Sequence, residues 1–219
     1  MKTIVQKGNM SLLSLTVALL LAATASAQTY STVAGGNWSD PSTWAGGQVP
    51  GTSITAGKKV NISHAVTFDV NSDIIINGIL NITDTLKYAA NAQKSIKVNS
   101  GGVLYVTNGV LMQNVTIKQS NIEVAGGRMA VTSSTVFVGK DFKASNGGKR
   151  SFVNSVVLTG EGYSIEGSQS VDTIRNSLIE TGMSGSGGDF IITGGKLRVA
   201  NANVKVHNGK NFKNMSGGT

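Results

Sequence analysis

The chain of 219 residues contains no cysteine. That excludes a disulfide framework, and it also excludes lipid attachment through a cysteine behind a leader. An exported form must therefore be held by its core and its backbone hydrogen bonds. Proline is limited to Pro41 and Pro50. Histidine is limited to His64 and His207, each alone in its surroundings, with no acid or cysteine at metal-ligand spacing. Acidic residues number 11 and no two are adjacent. Hydrolysis of a glycosidic bond usually needs two facing carboxylates. The closest glutamates, Glu161 and Glu166, fall on opposite faces of a regular strand, and Asp69 and Asp73 have a similar spacing and context. No histidine–carboxylate pattern singles out a serine or threonine as a nucleophile, and calcium-binding nonapeptides are missing. No catalytic residue, metal ligand or cofactor site is assigned.

Long apolar runs are also lacking. The longest is residues 12–23, broken by Ser14 and Thr16, well short of the roughly 20 residues that span a bilayer. It follows Lys2 and Lys7 and precedes Ala25-Ser26-Ala27. A positive start, a short apolar stretch and small residues at a cleavage site make up a secretory signal peptide. Residues 1–27 are therefore expected to form a helical signal removed before Gln28, leaving a secreted or outer-surface protein with no transmembrane segment. Without Lys2 and Lys7, 17 basic residues face 11 acidic ones. Lys58-Lys59 and Lys149-Arg150 are the only adjacent basic pairs. Nucleic-acid binding shows as a basic stripe interleaved with aromatics, and none is visible. Weak attraction to anionic glycans or cell-surface polymers fits better, beside the plain reading of a solvated basic face.

What is abundant is glycine, with 28 residues, and its placement is periodic. Gly78-Ile79-Leu80-Asn81-Ile82, Gly102-Val103-Leu104-Tyr105-Val106, Gly127-Arg128-Met129-Ala130-Val131 and Gly195-Lys196-Leu197-Arg198-Val199 share one pattern: glycine, any residue, large aliphatic, any residue, β-branched aliphatic. Residues 126–148 and 194–218 repeat each other at greater length, each with a Val-x-Val segment and a Gly-Lys-(Asp/Asn)-Phe-Lys segment. Alternating apolar positions mean short strands with one buried face. Gly, Asn, Ser and Asp between them tolerate tight corners. The sequence therefore predicts an all-β fold, a right-handed parallel β-helix or solenoid with coils of about 23 residues. About eight coils would make a rod on the order of 40 Å long. Asn77, Asn99, Asn108, Asn121, Asn154, Asn176 and Asn201 are expected at corners, as turn formers or as stacked ladders. Residues 83–94, rich in Ala, Leu and Lys, are the one stretch expected to leave the solenoid as a side loop or short helix.

Residues 37–69 break the repeat, and their first part, Asn-Trp-Ser-Asp-Pro-Ser-Thr-Trp-Ala-Gly-Gly-Gln-Val-Pro at 37–50, carries both tryptophans. Together with Val60, Ile62, Val66, Asp69, Gly78 and Leu80 they resemble the start of the G8 domain, as found ahead of β-helical repeats in secreted Bacteroidetes-type surface proteins. The resemblance covers residues 36–82 and departs from the family pattern at Gly51-Thr52. It implies an extracellular all-β module, sometimes linked to glycans, and brings no catalytic site. Residues 28–82 are thus expected as a capping region and residues 83–219 as β-helical repeats. Trp38 and Trp44 can plug the first coil or form a carbohydrate-binding platform. Asp84-Thr85-Leu86 and Asp172-Thr173-Ile174 resemble a Bacteroidetes O-glycosylation triplet. The function expected is a non-enzymatic structural, adhesive or glycan-contacting role. The alternative is the leading part of a polysaccharide lyase or hydrolase whose catalytic residues lie beyond Thr219, because the last repeat breaks off without a polar cap. N-terminal sequencing of protein recovered outside the cell is expected to begin at Gln28; a chain still beginning at Met1 would overturn the cleavage assignment.

Overall fold

The computed structural model describes residues 27–90, 93–113, 120–184, 188–207, 209–215 and 217–219. Three parallel sheets of eight strands each build a β-solenoid. The first sheet runs from Thr29–Ser31 through Lys59–Ile62, Ile79–Ile82, Val103–Thr107, Arg128–Thr132, Lys149–Val153 and Val171–Arg175 to Lys196–Ala200. The second begins at Gly36–Asn37 and ends at Asn203–Val206, and the third begins at Ser53–Ile54 and ends at Phe212–Met215. One strand from each sheet makes a coil, and every coil lies in parallel register on the next. Successive first-sheet partners, Lys59↔Ile79↔Val103↔Arg128↔Lys149↔Val171↔Lys196, stand 20 to 25 residues apart. Seven steps at strand spacing make a stack roughly 34 Å tall.

Strict register turns each position of the coil into a column. One inward column of the second sheet is aliphatic throughout, Val66, Leu86, Leu111, Val136, Val157 and Ile179. In the third sheet the column changes from Ile74, Ile96 and Ile122 to Phe142, Tyr163, Phe190 and Phe212. The Tyr163, Phe190 and Phe212 rings stack at 4.5 and 4.9 Å. The sheets cross residue 82 without a break, since Ile79–Ile82 pairs with strands on both sides. Within residues 83–94 the expected helix is replaced by the strand Thr85–Tyr88, with Leu86 and Tyr88 buried. Intrinsic helix propensity is worth only tenths of a kcal/mol per residue, and a column vacancy between Val66 and Leu111 outweighs it. Asn91 and Ala92 lie outside the described residues.

The glycine register has a steric cause. Gly78, Gly102, Gly127 and Gly148 each precede a first-sheet strand, where the chain turns over the coil below. A Cβ there would run into a backbone oxygen of that coil: Lys58 under Gly78, Ile76 under Gly102, Asn99 under Gly127, Val124 under Gly148. Ser170 occupies the same place in the next coil. Its hydroxyl donates to the Glu166 carbonyl at 2.6 Å and accepts from the Gly147 N–H at 3.2 Å.

The corner between first and second sheets uses a different device. Asn108, Ser133, Asn154, Asn176 and Asn201 all sit there with φ near +50°, a left-handed conformation that asparagine tolerates better than most residues. Behind them runs a serine column. Ser134, Ser155 and Ser177 each donate to a carbonyl two residues back and accept an N–H from the preceding coil. Side-chain ladders between asparagines occur at Asn99–Asn77 (3.0 Å) and Asn176–Asn154 (3.2 Å). At the corner between second and third sheets, Asp73, Ser95, Asn121 and Asp141 each accept the N–H of Ser95, Asn121, Asp141 and Gly162 respectively, one coil on. Backbone donors at these two corners thereby find partners one coil away.

Gly148→Ala is expected to destabilise the solenoid by about 1–3 kcal/mol through overpacking, measured by urea unfolding. Ser170→Ala, in a column position that already holds a Cβ, should cost only the lost hydroxyl bonds, about 1 kcal/mol. Equal and small losses at both positions would overturn the steric account.

Candidate functional site

Nine of the 11 acids are occupied with structural work. Asp73, Asp141 and Asp189 accept backbone N–H groups at corners. Asp69 accepts from the Ser39 backbone N–H and hydroxyl, and Asp40 does the same with Ser42. Glu123 pairs with Lys97, Glu166 with Lys143 and Glu180 with Lys205. Hydrogen bonds from Ser42 hold the Asp40 carboxyl below the usual carboxylate range. A bond from Lys205 does the same for Glu180, and one from Lys213 for Asp189. These shifts run opposite to the one a general acid needs at neutral pH.

Trp38 and Trp44 are buried in the first coil, 0 % and 2 % exposed. Asp40 caps a 3₁₀ turn at Pro41–Thr43, and a second turn follows at Ala45–Gly47. These turns fold the segment back, so that Trp38 meets Trp44 edge-on at 5.2 Å and Phe68 of the next coil at 5.3 Å. The indole N–H of Trp38 donates to the Pro50 carbonyl and that of Trp44 to the Trp38 carbonyl. Both rings thus lie inside the first coil, packed on each other and on Phe68. His64 Nδ1 lies 3.1 Å from the Thr32 hydroxyl and 3.3 Å from that of Ser63. His207 Nε2 lies 3.4 Å from Glu180.

The clearest concentration of chemistry is on the first sheet, on both of its faces. Two residues past the repeat glycine, the inward column reads Leu80, Leu104, Met129, Arg150, Asp172, Leu197. Arg150 and Asp172 are fully enclosed register partners. Arg150 Nε and Nη2 donate to the two carboxylate oxygens at 2.9 and 2.7 Å, and Nη2 also donates to the Ser164 carbonyl. The Tyr163 hydroxyl donates to the same carboxylate at 2.5 Å. Burial pushes the Tyr163 phenol well above its ordinary value, so it stays protonated as a donor. The guanidinium lies 4.3 Å from the centres of both the Phe142 and Tyr163 rings, a cation–π contact with each. The change from isoleucine to aromatics in the third sheet begins at the coil that meets this pair.

Directly outside lies a cationic surface. Arg128, Lys149, Arg175, Lys196 and Arg198 are all exposed on the outer face. Arg128 and Lys149 are register neighbours, and Arg198 stands opposite Thr173, one diagonal from Arg175. With Ser151 and Thr173 between them, Arg128, Lys149, Arg175 and Arg198 line a shallow depression of about 500 Å³, and Lys196 lies beside it in register with Val171. None of the five cations forms an ion pair among the described residues. The only acid in these four strands, Asp172, points inward to Arg150. That burial also leaves the triplet Asp172-Thr173-Ile174 with just Thr173 on the outside.

Comparison with known proteins returns no match: no family model, no curated protein and no solved structure aligns with the chain.

Removing one partner of the buried pair strands a charge in the core, so Asp172→Asn is expected to cost about 3–5 kcal/mol in urea unfolding. The double variant Arg150→Met/Asp172→Leu, which continues the aliphatic column, should recover most of that loss. A double variant no more stable than Asp172→Asn would show that the pair itself is indispensable.

Proposed function

We propose that this chain is an exported scaffold, a secreted or surface-displayed β-solenoid with a structural or adhesive role, and not a catalyst. The observation that carries this reading is the employment of its acids: corner carboxylates hold backbone N–H groups, strand carboxylates hold lysines, and the buried one holds Arg150. A solenoid whose polar side chains serve its own corners is a spacer, presenting outer faces at fixed separation. The expected signal peptide and the resemblance of residues 36–82 to the G8 domain support an extracellular setting. In that setting a cysteine-free parallel stack needs no oxidising partner to reach its fold.

Two measurements test the proposal. Protease treatment of intact cells should degrade the protein wherever it is displayed, or the culture medium should contain it; confinement to the cytoplasm would overturn the export half. Incubation of the exported chain with a panel of polysaccharides should release neither reducing ends nor unsaturated sugars. Release of either would overturn the scaffold half.

A further inference from the structure

We infer that the outer face of the first sheet, between Arg128 and Arg198, binds an acidic polysaccharide, a sugar chain bearing carboxylate or sulfate groups. The inference deepens the scaffold reading and rests on it for the choice of a glycan among polyanions.

The sheets treat charge in opposite ways. On the third sheet, outward residues in register alternate in sign, Lys97↔Glu123↔Lys143, and ion pairs form at Lys97–Glu123 and Lys143–Glu166. On the first sheet, Arg128 stands in register with Lys149, while Arg175, Lys196 and Arg198 follow within two coils. Like charges directly opposite one another destabilise a sheet, and unlike charges stabilise it. A stack that alternates signs on one face and gathers a single sign on another keeps its repulsion on the second face uncompensated. An anionic chain laid along the coils removes that repulsion, so ligand and fold stabilise each other.

The floor of the depression adds selectivity. Ser151 and Thr173 place hydroxyls between the cations, suited to the hydroxyls of a sugar ring. Platforms for single-stranded nucleic acid interleave cations with aromatics on which bases stack. No aromatic residue lines this depression. The exposed Tyr105 faces outward on the strand that precedes Arg128–Thr132 in the sheet. Arginine, three of the five cations, matches carboxylate and sulfate oxygens with a planar pair of donors.

The test uses the exported chain, with heparin and polygalacturonate as anionic probes, dextran as the neutral one and oligo-dT as the nucleic-acid one. Calorimetry and thermal shift should show both anionic glycans binding and raising the melting temperature, with dextran inert. Affinity should fall roughly a hundredfold between about 50 and 200 mM salt. Lys149→Gln/Arg175→Gln/Arg198→Gln should reduce the salt slope by about three while leaving the protein at least as stable as before. The matched variant Lys97→Gln/Lys143→Gln/Lys213→Gln, which removes three charges from the third sheet, should leave the slope unchanged. Equal losses from the two triple variants, binding of dextran, or oligo-dT binding more tightly than either glycan would each overturn the inference. Absence of glycan binding would leave the scaffold reading standing, whereas product release in the cleavage panel would overturn that reading and leave the binding face intact.

Discussion

Everything in this molecule depends on the parallel, in-register backbone hydrogen bonding of one coil on the next. Because the register is kept in all three sheets, a residue is defined less by its sequence neighbours than by the residues above and below it in its column. The columns then divide the work. Inward ones exclude water, corner ones supply partners for backbone groups at the bends, and outward ones are free to vary. Glycine sits where the chain above crosses the carbonyls below, and asparagine sits where the backbone turns left-handed.

This division explains how a chain without disulfides and with little charge reaches a regular fold. A corner is expensive for a β-structure because it leaves N–H groups without ladder partners. Here two of the three corners carry a side-chain column, serine at one and Asp, Ser and Asn at the other, and each rung serves the adjacent coil. The same economy leaves few acids available for chemistry, and among the described residues the cations gathered on the first sheet have no ion-pair partner.

Much of the fold is legible in the sequence, since the recurring glycine followed by alternating aliphatics survives in four coils. It becomes illegible where a column changes its chemistry. In the coils at Gly148 and Ser170 the aliphatic two places on is replaced by Arg150 and then Asp172, so the sequence pattern lapses for the 68 residues from Gly127 to Gly195 while the structure continues it. Aligning those coils by register would have brought two opposite charges into adjacent inward positions, a signal for a buried pair. The strand at Thr85–Tyr88 was hidden for a related reason: its Ala- and Lys-rich flank speaks for helix locally, and only the need to fill a column decides otherwise. The cationic face shares the difficulty, because lysines and arginines 20 to 25 residues apart look scattered along the chain and are neighbours in the stack.

The buried Arg150–Asp172 pair has one further consequence. Repeat proteins built from nearly interchangeable rungs risk assembling with a rung skipped or doubled, since an aliphatic column fits itself in several alignments. A slip of one coil here would set Arg150 against Leu197, or Asp172 against Met129, and leave a charge in the core with nothing to answer it. The pair therefore works as an address, distinguishing the junction between the coils at Lys149 and Val171 from all the others and tying the order of the stack to the order of the chain.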